Sequence, residues 1–231
     1  MTVNKPLCQI PPETLDPATV ETWVFDLDNT LYPARSNLFV QVSARMTRFI
    51  QDRFDLEAGP AKDLQRDLFR RYGTTLRGLM TEHAVEPGAF LDFVHDIDVT
   101  PVDPSPRLDD LLARLPGRKL VFTNGSVPHA ERVMERLGVA RHFDSVFDIV
   151  AADYVPKPDP RPYARLVEVA GFAPAGAVMI EDMAKNLAPA AALGMRTVWL
   201  RSEHDWARDG AEDEHVHHVA EDLIGFLESL P

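Results

Sequence analysis

The sequence predicts an α/β fold, in which a parallel β-sheet carries helices on both faces and a small all-helical segment is inserted into it. Three observations predict this class. Nearly continuous apolar runs of β-forming residues, such as TWVFDL at 22–27, are typical of strands buried on both faces. Beyond residue 104, such runs alternate with amphipathic helical patterns, which favours a parallel sheet of the Rossmann-like type. Between residues 34 and 103 only helical patterns occur.

The chain of 231 residues therefore divides into two predicted units. Residues 1–33 and 104–231 form the α/β core, and residues 34–103 form the helical insertion. In the insertion, apolar residues at steps of three and four predict a first helix over 38–54. Three further helices are predicted before a proline-rich break, over residues 60–73, 74–84 and 86–98.

In the second part of the core, predicted helices and strands alternate. Proline in the first turn and a closing glycine delimit the helix at 128–138. Pro189 is expected inside a helix or at a kink in it. The predicted strands are 119–125, 147–152, 177–182 and 196–201, and the predicted helices are 107–115, 128–138, 159–171, 183–194 and 218–230.

The bulk composition excludes several classes of protein. A formal net charge of −12 argues against a general nucleic-acid binder, which needs a basic face, although local basic groups still allow a small anionic ligand. No run approaches the length of a membrane span, and the N-terminus lacks the pattern of a secretory signal. The single cysteine, Cys8, excludes an intrachain disulfide and is compatible with a reducing cytosol. We therefore expect a cytoplasmic protein without a membrane segment.

Polar clusters follow three of the predicted strands, at the edge where parallel sheets bind ligands. Asp26 and Asp28 lie on the same side of an extended strand, because one residue separates them. With Asp182, and with or without Glu181, they bring together three or four carboxylates, which cannot all be ionised without compensation. A hard divalent cation with oxygen ligands provides that compensation, and Mg²⁺ is the predicted ion.

Residues suited to a phosphate group accompany these carboxylates. Lys157 adds a positive charge in the segment YVPKPDP. Thr123, Asn124 and Gly125 offer a hydroxyl and backbone N–H groups near the start of a helix, which suits phosphate oxygens. Since Mg²⁺ held by few carboxylates commonly shares its ligands with a substrate phosphate, the combination predicts metal-assisted phosphoryl transfer.

The same segments resemble the four motifs of the haloacid dehalogenase-like (HAD) superfamily. DLDNTLY, FTNGS, VPKPD and MIEDMAKN occur in the order and spacing of those motifs, and the insertion resembles the helical cap of the C1 type. The resemblance implies that Asp26 is the nucleophile and Asp28 the general acid and base. It also implies that Thr123 bonds the transferring phosphoryl group and that Lys157 neutralises charge on the nucleophile and the phosphate.

The resemblance further implies how the metal is held. Mg²⁺ would bind the side chains of Asp26 and Asp182 and the backbone carbonyl of Asp28, with Glu181 and Asn186 as supporting or outer groups. Asp28 also favours a phosphatase or a phosphomutase. Dehalogenases of the superfamily lack this second aspartate and need no metal, and the related ATPases carry threonine there.

Within the superfamily, the chain resembles the pyrimidine 5′-nucleotidase group most. The segments VFDLDNTLYP, YGTTLRGL, LVFTNGSVPHAERVMERLG and IEDMAKNLAPAAALGMRTVWL carry this resemblance. Members of that group use Mg²⁺ to remove phosphate from nucleoside monophosphates such as UMP and CMP. Three alternatives stay open: a phosphatase for another small metabolite such as phosphoglycolate or a sugar phosphate, a sugar phosphomutase, and a non-catalytic binding module.

Some residues are expected to contact the substrate rather than the metal. Arg77, in the insertion, is either a substrate contact or a surface arginine on a helix. Tyr32 and Asn29 either touch the substrate or shape the turn into the insertion, and His129 is expected to order the Thr123 loop. The candidates for phosphate or substrate binding are Leu27, Asn124, Gly125 and Arg77.

The expected partner is a small phosphorylated metabolite, with a nucleoside monophosphate as the leading candidate. Neither a nucleic-acid polymer nor a membrane is expected as a partner. The predicted oligomeric state is a monomer or a homodimer.

Overall fold

The computed structural model describes residues 15–202 and 207–231, and Cys8 lies outside them. In these residues, six strands form one sheet in which every neighbouring pair is parallel. The strands are β1 (Thr22–Phe25), β2 (Arg118–Phe122), β3 (Ser145–Phe147), β4 (Ala177–Glu181), β5 (Arg196–Leu200) and β6 (His218–Ala220). Their order is β3-β2-β1-β4-β5-β6, so the chain builds one side of the sheet from β1 and then the other.

Helices cover both faces of the sheet, because successive side chains of each strand point to opposite faces. Trp23 and Phe25 belong to the apolar cluster on one face, and Val24 belongs to the cluster on the other. The described α-helices are α1 (Leu38–Phe54), α2 (Ala58–Tyr72), α3 (Thr75–His83), α4 (Pro87–His95), α5 (Pro106–Arg114), α6 (Val127–Leu137), α7 (Pro160–Ala170), α8 (Ala188–Ala192) and α9 (Leu223–Ser229). The predicted fold class is confirmed.

Four of these helices, α1 to α4, form the insertion between β1 and β2. Helix α1 packs against α2 and α4, and α3 packs against the same two helices. The turn between α2 and α3 is encoded locally. Gly73 ends α2 with a φ of 82°, which glycine adopts without strain, and the Thr74 hydroxyl accepts the N–H of Arg77 to begin α3. The predicted unit boundaries at residues 33 and 104 stay a prediction.

The segment that leads from the insertion back to the core lies along α6. The Arg132 guanidinium donates to the carbonyl groups of His95 at 2.9 Å and Ile97 at 2.5 Å. One turn further along α6, Arg136 donates to the carbonyl of Val102 at 2.7 Å. Arginine side chains of α6 therefore donate hydrogen bonds to backbone carbonyl groups of this segment. These carbonyl groups are not bonded within a helix or a strand.

One predicted strand is wrong in its extent. We predicted a strand over 147–152, whereas β3 covers Ser145–Phe147 and the chain then turns. The cause is Asp148, whose carboxylate accepts the N–H groups of Ala151 at 2.8 Å and Val127 at 3.0 Å. These bonds draw the chain out of the strand and fix the start of α6 beside it.

Two predicted helices are shorter than expected. In the region 183–194, a 3₁₀ turn over Ala184–Leu187 precedes α8, and Pro189 lies in the first turn of α8, where the missing N–H costs nothing. The region 218–230 is not one helix, since β6 pairs with β5 before the Asp222 carboxylate caps α9 by accepting the N–H of Gly225 at 2.8 Å. No described helix combines the length and the apolar character that a membrane span needs.

Candidate active site

The candidate site lies at the C-terminal ends of β1 and β4, where the chain leaves toward opposite sides of the sheet. Such a switch point opens a crevice in which α/β proteins bind their ligands. Asp26 follows β1, and its backbone N–H donates to the carbonyl of Ile180 at 2.9 Å. Glu181 ends β4 and Asp182 follows it. The structure therefore brings together residues that lie 155 positions apart in the chain (181 minus 26).

The ammonium group of Lys157 lies between the strand ends and uses all three of its hydrogens. It donates to Asp26 Oδ1 at 2.6 Å, to Glu181 Oε2 at 2.7 Å and to the carbonyl of Phe122 at 2.9 Å. The side chain is 1% exposed. Burial acts to lower the pKa of Lys157, but the charges of Asp26 and Glu181 outweigh burial and raise that pKa. Lys157 is therefore a permanent cation inside the site.

Asp26, Glu181 and Asp182 form a compact group of buried acids, with one oxygen of each within 4.8 Å of the others. Burial and the charge of Glu181 raise the pKa of Asp26 to about 7, and the same causes raise the pKa of Asp182 well above its ordinary value. Three carboxylates and one lysine give the ionised group a net charge of −2 (three negative, one positive). A divalent cation with a preference for oxygen supplies the missing charge, so these residues fit Mg²⁺.

The three acids differ in how far they are already engaged. Glu181 Oε2 bonds Lys157, and its Oε1 accepts from the side-chain amide of Asn186 at 3.0 Å and from the N–H of Met183 at 3.3 Å. Among the described residues, Asp26 Oδ2 accepts no hydrogen bond, and the carboxyl group of Asp182 is engaged only by that of Glu181. Asp26 and Asp182 therefore offer more to a cation than Glu181 does.

Asp28 has a separate set of partners. Its Oδ1 accepts the Tyr32 hydroxyl at 2.5 Å and lies 2.9 Å from His129 Nε2. Burial acts to raise the pKa of Asp28, but His129 and Tyr32 together outweigh burial and lower that pKa. The two aspartates that stand one residue apart thus have opposite pKa shifts, because Asp26 faces other acids and Asp28 faces donors.

The loop after β2 is folded on itself beside these aspartates. The backbone N–H of Gly125 donates to Thr123 Oγ1 at 2.9 Å, and Asn124 Oδ1 accepts the backbone N–H of Lys157 at 2.9 Å. Thr123 is buried, with a hydroxyl hydrogen still available to a ligand. Leu27, a predicted substrate contact, is fully buried, so its side chain does not line the open crevice. In the protein without a ligand, the hydrogen bonds of Gly125 and Asn124 therefore stabilise the loop itself.

Arg77 lines a cleft of about 390 Å³ between the insertion and the core. Lys157 is part of the wall of this cleft, and its buried side chain extends to Asp26 and Glu181. Among the described residues, no hydrogen bond or ion pair holds the Arg77 guanidinium. The pKa of Asp159 is lowered chiefly by Arg161, and the charge of Arg77 adds to this effect. The other lining residues are Arg71, Tyr72, Gly73, Val155, Pro156, Pro158, Asp159 and Arg161.

Sequence reasoning missed the contacts of Asp28. It assigned His129 to the Thr123 loop and left Tyr32 open, whereas the structure places both side chains on Asp28. The sequence positions of both residues could have indicated these contacts. Tyr32 follows Asp28 by four residues, and His129 lies in the first turn of α6, directly after the loop. His95 has no such indication in the sequence. It comes from α4 of the insertion and stacks on His129, with ring centroids 4.5 Å apart and planes 10° from parallel.

Comparison with known proteins agrees with this fold. The family model of haloacid dehalogenase-like hydrolases matches residues 20–194, which is most of the chain. The chain therefore belongs to the haloacid dehalogenase-like hydrolase family, and hydrolase activity is the class of chemistry that the family supports.

A curated relative is "Phosphate metabolism protein 8" of Saccharomyces cerevisiae, which is 26% identical over 207 residues. The match covers 80% of this chain, and the chain spans 63% of the length of that relative.

Solved structures resemble the chain in fold. One is L-2-haloacid dehalogenase from Xanthobacter autotrophicus with chloropropionic acid covalently bound, with 17% identity, a TM-score of 0.56, and coverage of 90% of this chain and 97% of the other. Another is the HAD-hydrolase YfnB from Bacillus subtilis bound to magnesium, with 15% identity, a TM-score of 0.59, and coverage of 91% and 98%. At these identities the likeness concerns the fold alone.

Proposed function

We propose that the protein is a Mg²⁺-dependent phosphomonoesterase that works through an aspartyl-phosphate intermediate. The observation that carries the proposal is the buried group of Asp26, Glu181 and Asp182 with Lys157, whose net charge of −2 calls for a divalent cation (three carboxylates, one lysine). Lys157 bonds Asp26 Oδ1, which keeps a second lone pair for the cation, and Oδ2 is left for nucleophilic attack. Asp28, two residues on, is the carboxyl group that the chemistry needs as acid and base.

In the first step, a carboxylate oxygen of Asp26 attacks the phosphorus of the ester. The new bond joins Asp26 to phosphorus, and the bond from phosphorus to the ester oxygen breaks. The negative charge of the bound phosphate raises the pKa of Asp28, which takes up a proton as the substrate binds. Asp28 gives this proton to the leaving oxygen, so that an alcohol departs. Lys157 stays hydrogen-bonded to Asp26 and holds its carboxylate in place, and Thr123 donates its hydroxyl hydrogen to the phosphoryl group.

In the second step, Asp28 takes a proton from a water molecule, whose oxygen attacks the phosphorus of the aspartyl-phosphate. The bond between Asp26 and phosphorus breaks, phosphate leaves, and Asp26 is again a carboxylate. The cycle uses Asp28 first as an acid and then as a base, and it returns both aspartates to their starting protonation states.

Mg²⁺ would be held by the carboxylates of Asp26 and Asp182 and by the backbone carbonyl of Asp28. When bound, it neutralises phosphate oxygens and the carboxylates around them as a Lewis acid. Glu181 and Asn186 support this arrangement from outside, because Glu181 holds Lys157 and is itself held by Asn186. The second aspartate separates this proposal from dehalogenase chemistry, since superfamily dehalogenases lack it.

The proposed substrates are nucleoside 5′-monophosphates, with UMP and CMP first. The resemblance of the insertion segment YGTTLRGL to the pyrimidine 5′-nucleotidase group supports this choice. The cleft of about 390 Å³ supports it as well, because it adjoins Lys157 and contains Arg77, a cation that no described residue pairs with. Such a cleft has room for a group attached to the phosphate. The cytoplasmic location and the monomer or homodimer state stay predictions.

A substrate panel tests the proposal. Phosphate release from UMP, CMP, AMP, phosphoglycolate and hexose phosphates would be measured with Mg²⁺ and again with a chelator. We expect UMP and CMP to have the highest kcat/KM, activity to vanish on chelation, and Asp26→Asn to lower kcat by about 10³-fold or more.

Asp63→Asn is the matched control, because Asp63 is an exposed aspartate of α2. Turnover that survives Asp26→Asn would overturn the mechanism. Equal kcat/KM on all esters would remove only the nucleotidase assignment and leave the phosphatase. Turnover of phosphoglycolate or of a hexose phosphate alone would favour the alternatives.

A further inference from the structure

The acid and base of the proposed reaction has an asymmetric environment. Both donors on Asp28, the Tyr32 hydroxyl and His129 Nε2, lie on Oδ1, at 2.5 Å and 2.9 Å. No donor of the described residues bonds to Oδ2. Two donors on one oxygen fix the rotation of a carboxylate about its Cβ–Cγ bond, and they determine which oxygen remains for other partners.

The oxygen that remains points to the phosphate-binding loop. A Cβ atom added to Gly125 would lie 3.7 Å from Asp28 Oδ2, 3.2 Å from Thr123 Oγ1 and 3.3 Å from His129 Cδ2. Oδ2 therefore faces the same small space as the Thr123 hydroxyl. The absence of a side chain at Gly125 keeps this space open for a ligand.

Among the described residues, the His129 ring forms its hydrogen bond with Asp28 alone. His129 is 1% exposed, and its Nδ1 is buried with no hydrogen-bond partner among the described residues, so Asp28 is the only group that the ring bonds. A structural histidine would ordinarily use both nitrogens. A histidine that leaves one ring nitrogen buried without a hydrogen bond lowers the stability of the fold, and a second role of the side chain can explain why this cost is tolerated.

His95 of α4 holds the ring in its plane. Its own ring stacks on His129 at 4.5 Å, and its Nδ1 lies 2.8 Å from the hydroxyl of Ser126. The Arg132 guanidinium donates to the His95 carbonyl at 2.9 Å. The insertion thus contributes a fixed flat surface against which His129 is oriented.

We propose that His129 is a positioning residue for Asp28: with Tyr32 it anchors Oδ1, so that Oδ2 is aimed at the leaving oxygen of the ester and later at the attacking water. This inference rests on the proposed phosphatase function and goes beyond it, since it assigns to α6 and the insertion a part in proton transfer.

The leaving group provides the test, because an aryl phosphate loses its alcohol without an acid and an alkyl phosphate does not. In His129→Phe, which keeps a flat ring against His95, we expect kcat for UMP, an alkyl ester, to fall about 100-fold with KM little changed. With p-nitrophenyl phosphate, the same variant should still release about one equivalent of nitrophenol in a fast burst. Slow steady turnover should follow, because hydrolysis of the aspartyl-phosphate needs Asp28 again.

Two further variants guard against a folding artefact. His129→Gln restores an N–H near the position of Nε2 and should recover part of the lost kcat. Tyr32→Phe removes only a hydroxyl and should lower kcat for UMP in the same direction by a smaller factor. Thermal unfolding of each variant measures its stability.

If His129 had only a structural role, the variant would contain fewer active molecules, and the burst amplitude would fall. The molecules that remain active would keep the wild-type rate with both esters, and that result would overturn the inference. Unchanged kcat for UMP in His129→Phe would overturn it too. Wild-type protein that hydrolyses neither ester would instead overturn the proposed function, and this inference with it.

Discussion

Two clusters in this molecule share one arrangement, a basic side chain between two acids, and behave in opposite ways. In the core, the cation of Lys157 lies between Asp26 and Glu181. In the insertion, the cation of Arg71 lies between Asp67 and Glu82, and Glu82 also accepts the Tyr72 hydroxyl at 2.7 Å. Each is a basic side chain held by two acids. The Lys157 side chain is 1% exposed, whereas that of Arg71 is 43% exposed.

Because the two clusters differ in burial, the pKa of Glu82 is lowered and the pKa of Asp26 is raised. The hydrogen bonds of Arg71 and Tyr72 lower the pKa of Glu82 to about 2, since little burial opposes them. Burial and Glu181 raise the pKa of Asp26 to about 7 despite its bond to Lys157. The insertion cluster carries a net charge of −1 (two acids, one arginine) that water screens, whereas the buried core cluster, with Asp182, retains a charge of −2 that a ligand has to complete. An ion pair therefore indicates a functional site only when its surroundings leave it incomplete.

The largest expected effect comes from breaking the core cluster at its cation. Lys157→Met leaves three buried acids without a positive partner, so we expect the free energy of unfolding at pH 8 to fall by about 3–5 kcal/mol. At pH 5 the fall should be smaller, because the acids take up protons instead. Urea unfolding at the two pH values measures both quantities.

Arg71→Met is the matched control, because it removes the cation of the exposed cluster. Its unfolding temperature should change by no more than about 2 °C. A comparable loss of stability in both variants would show that burial does not distinguish the clusters.

The next effect concerns Mg²⁺ and pH. In metal-free protein, Asp26 has a folded pKa of about 7 against an ordinary 3.8, so the folded state binds more protons between these values. The free energy of unfolding should therefore fall as pH rises from about 4 to about 7, and the raised pKa of Asp182 acts in the same direction. Mg²⁺ should reverse this loss, because it binds the ionised carboxylates.

At pH 8, Mg²⁺ at 100 times its Kd should add about 2.7 kcal/mol to the free energy of unfolding, and at pH 5 it should add much less. Thermal unfolding with MgCl₂, against NaCl of equal ionic strength, measures the difference. Asp182→Asn should abolish most of the gain. A gain that is equal at both pH values would contradict the assignment of these acids to the metal.

The smallest expected effect comes from the insertion cluster. Glu82→Gln removes one exposed partner of Arg71, and the unfolding temperature at neutral pH should shift by less than about 2 °C. Because the pKa of Glu82 is lowered from 4.5 to about 2, its contribution is present above pH 4.5 and is lost as pH falls toward 2. The variant should therefore equal the wild type at pH 2. A large shift at pH 7 would show that the exposed cluster is also a stability determinant.

The sequence predicted those parts of this molecule that local patterns encode. The apolar run before Asp26 and the alternation of strand and helix patterns after residue 104 predicted the sheet. The spacing of apolar residues predicted α1 with the first and last residues that the structure shows. The convergence of Asp26, Lys157 and Asp182 followed from a general property of parallel sheets, which is that their carboxyl ends meet at one edge.

What the sequence did not predict depends on contacts between distant segments. The strand β6 has three residues and is defined by pairing with β5 rather than by its own pattern. The bond between His129 and Asp28 joins residues 101 positions apart, and the stack of His95 on His129 depends on how the insertion lies against the core. Helical periodicity places His95 on α4 but does not show which core side chain it meets.

The parallel pairing of β1 with β4 has a consequence for the timing of folding. Asp26 enters the chain early, but its partner Lys157 follows 131 residues later and Glu181 later still. Closing so long a loop is slow, because the entropy is lost before the contacts form. A nascent chain that has completed the insertion and β2 still holds Asp26 without its cation. Catalytic competence would thus arise only when the second half of the sheet has docked, and turnover would report on completed folding.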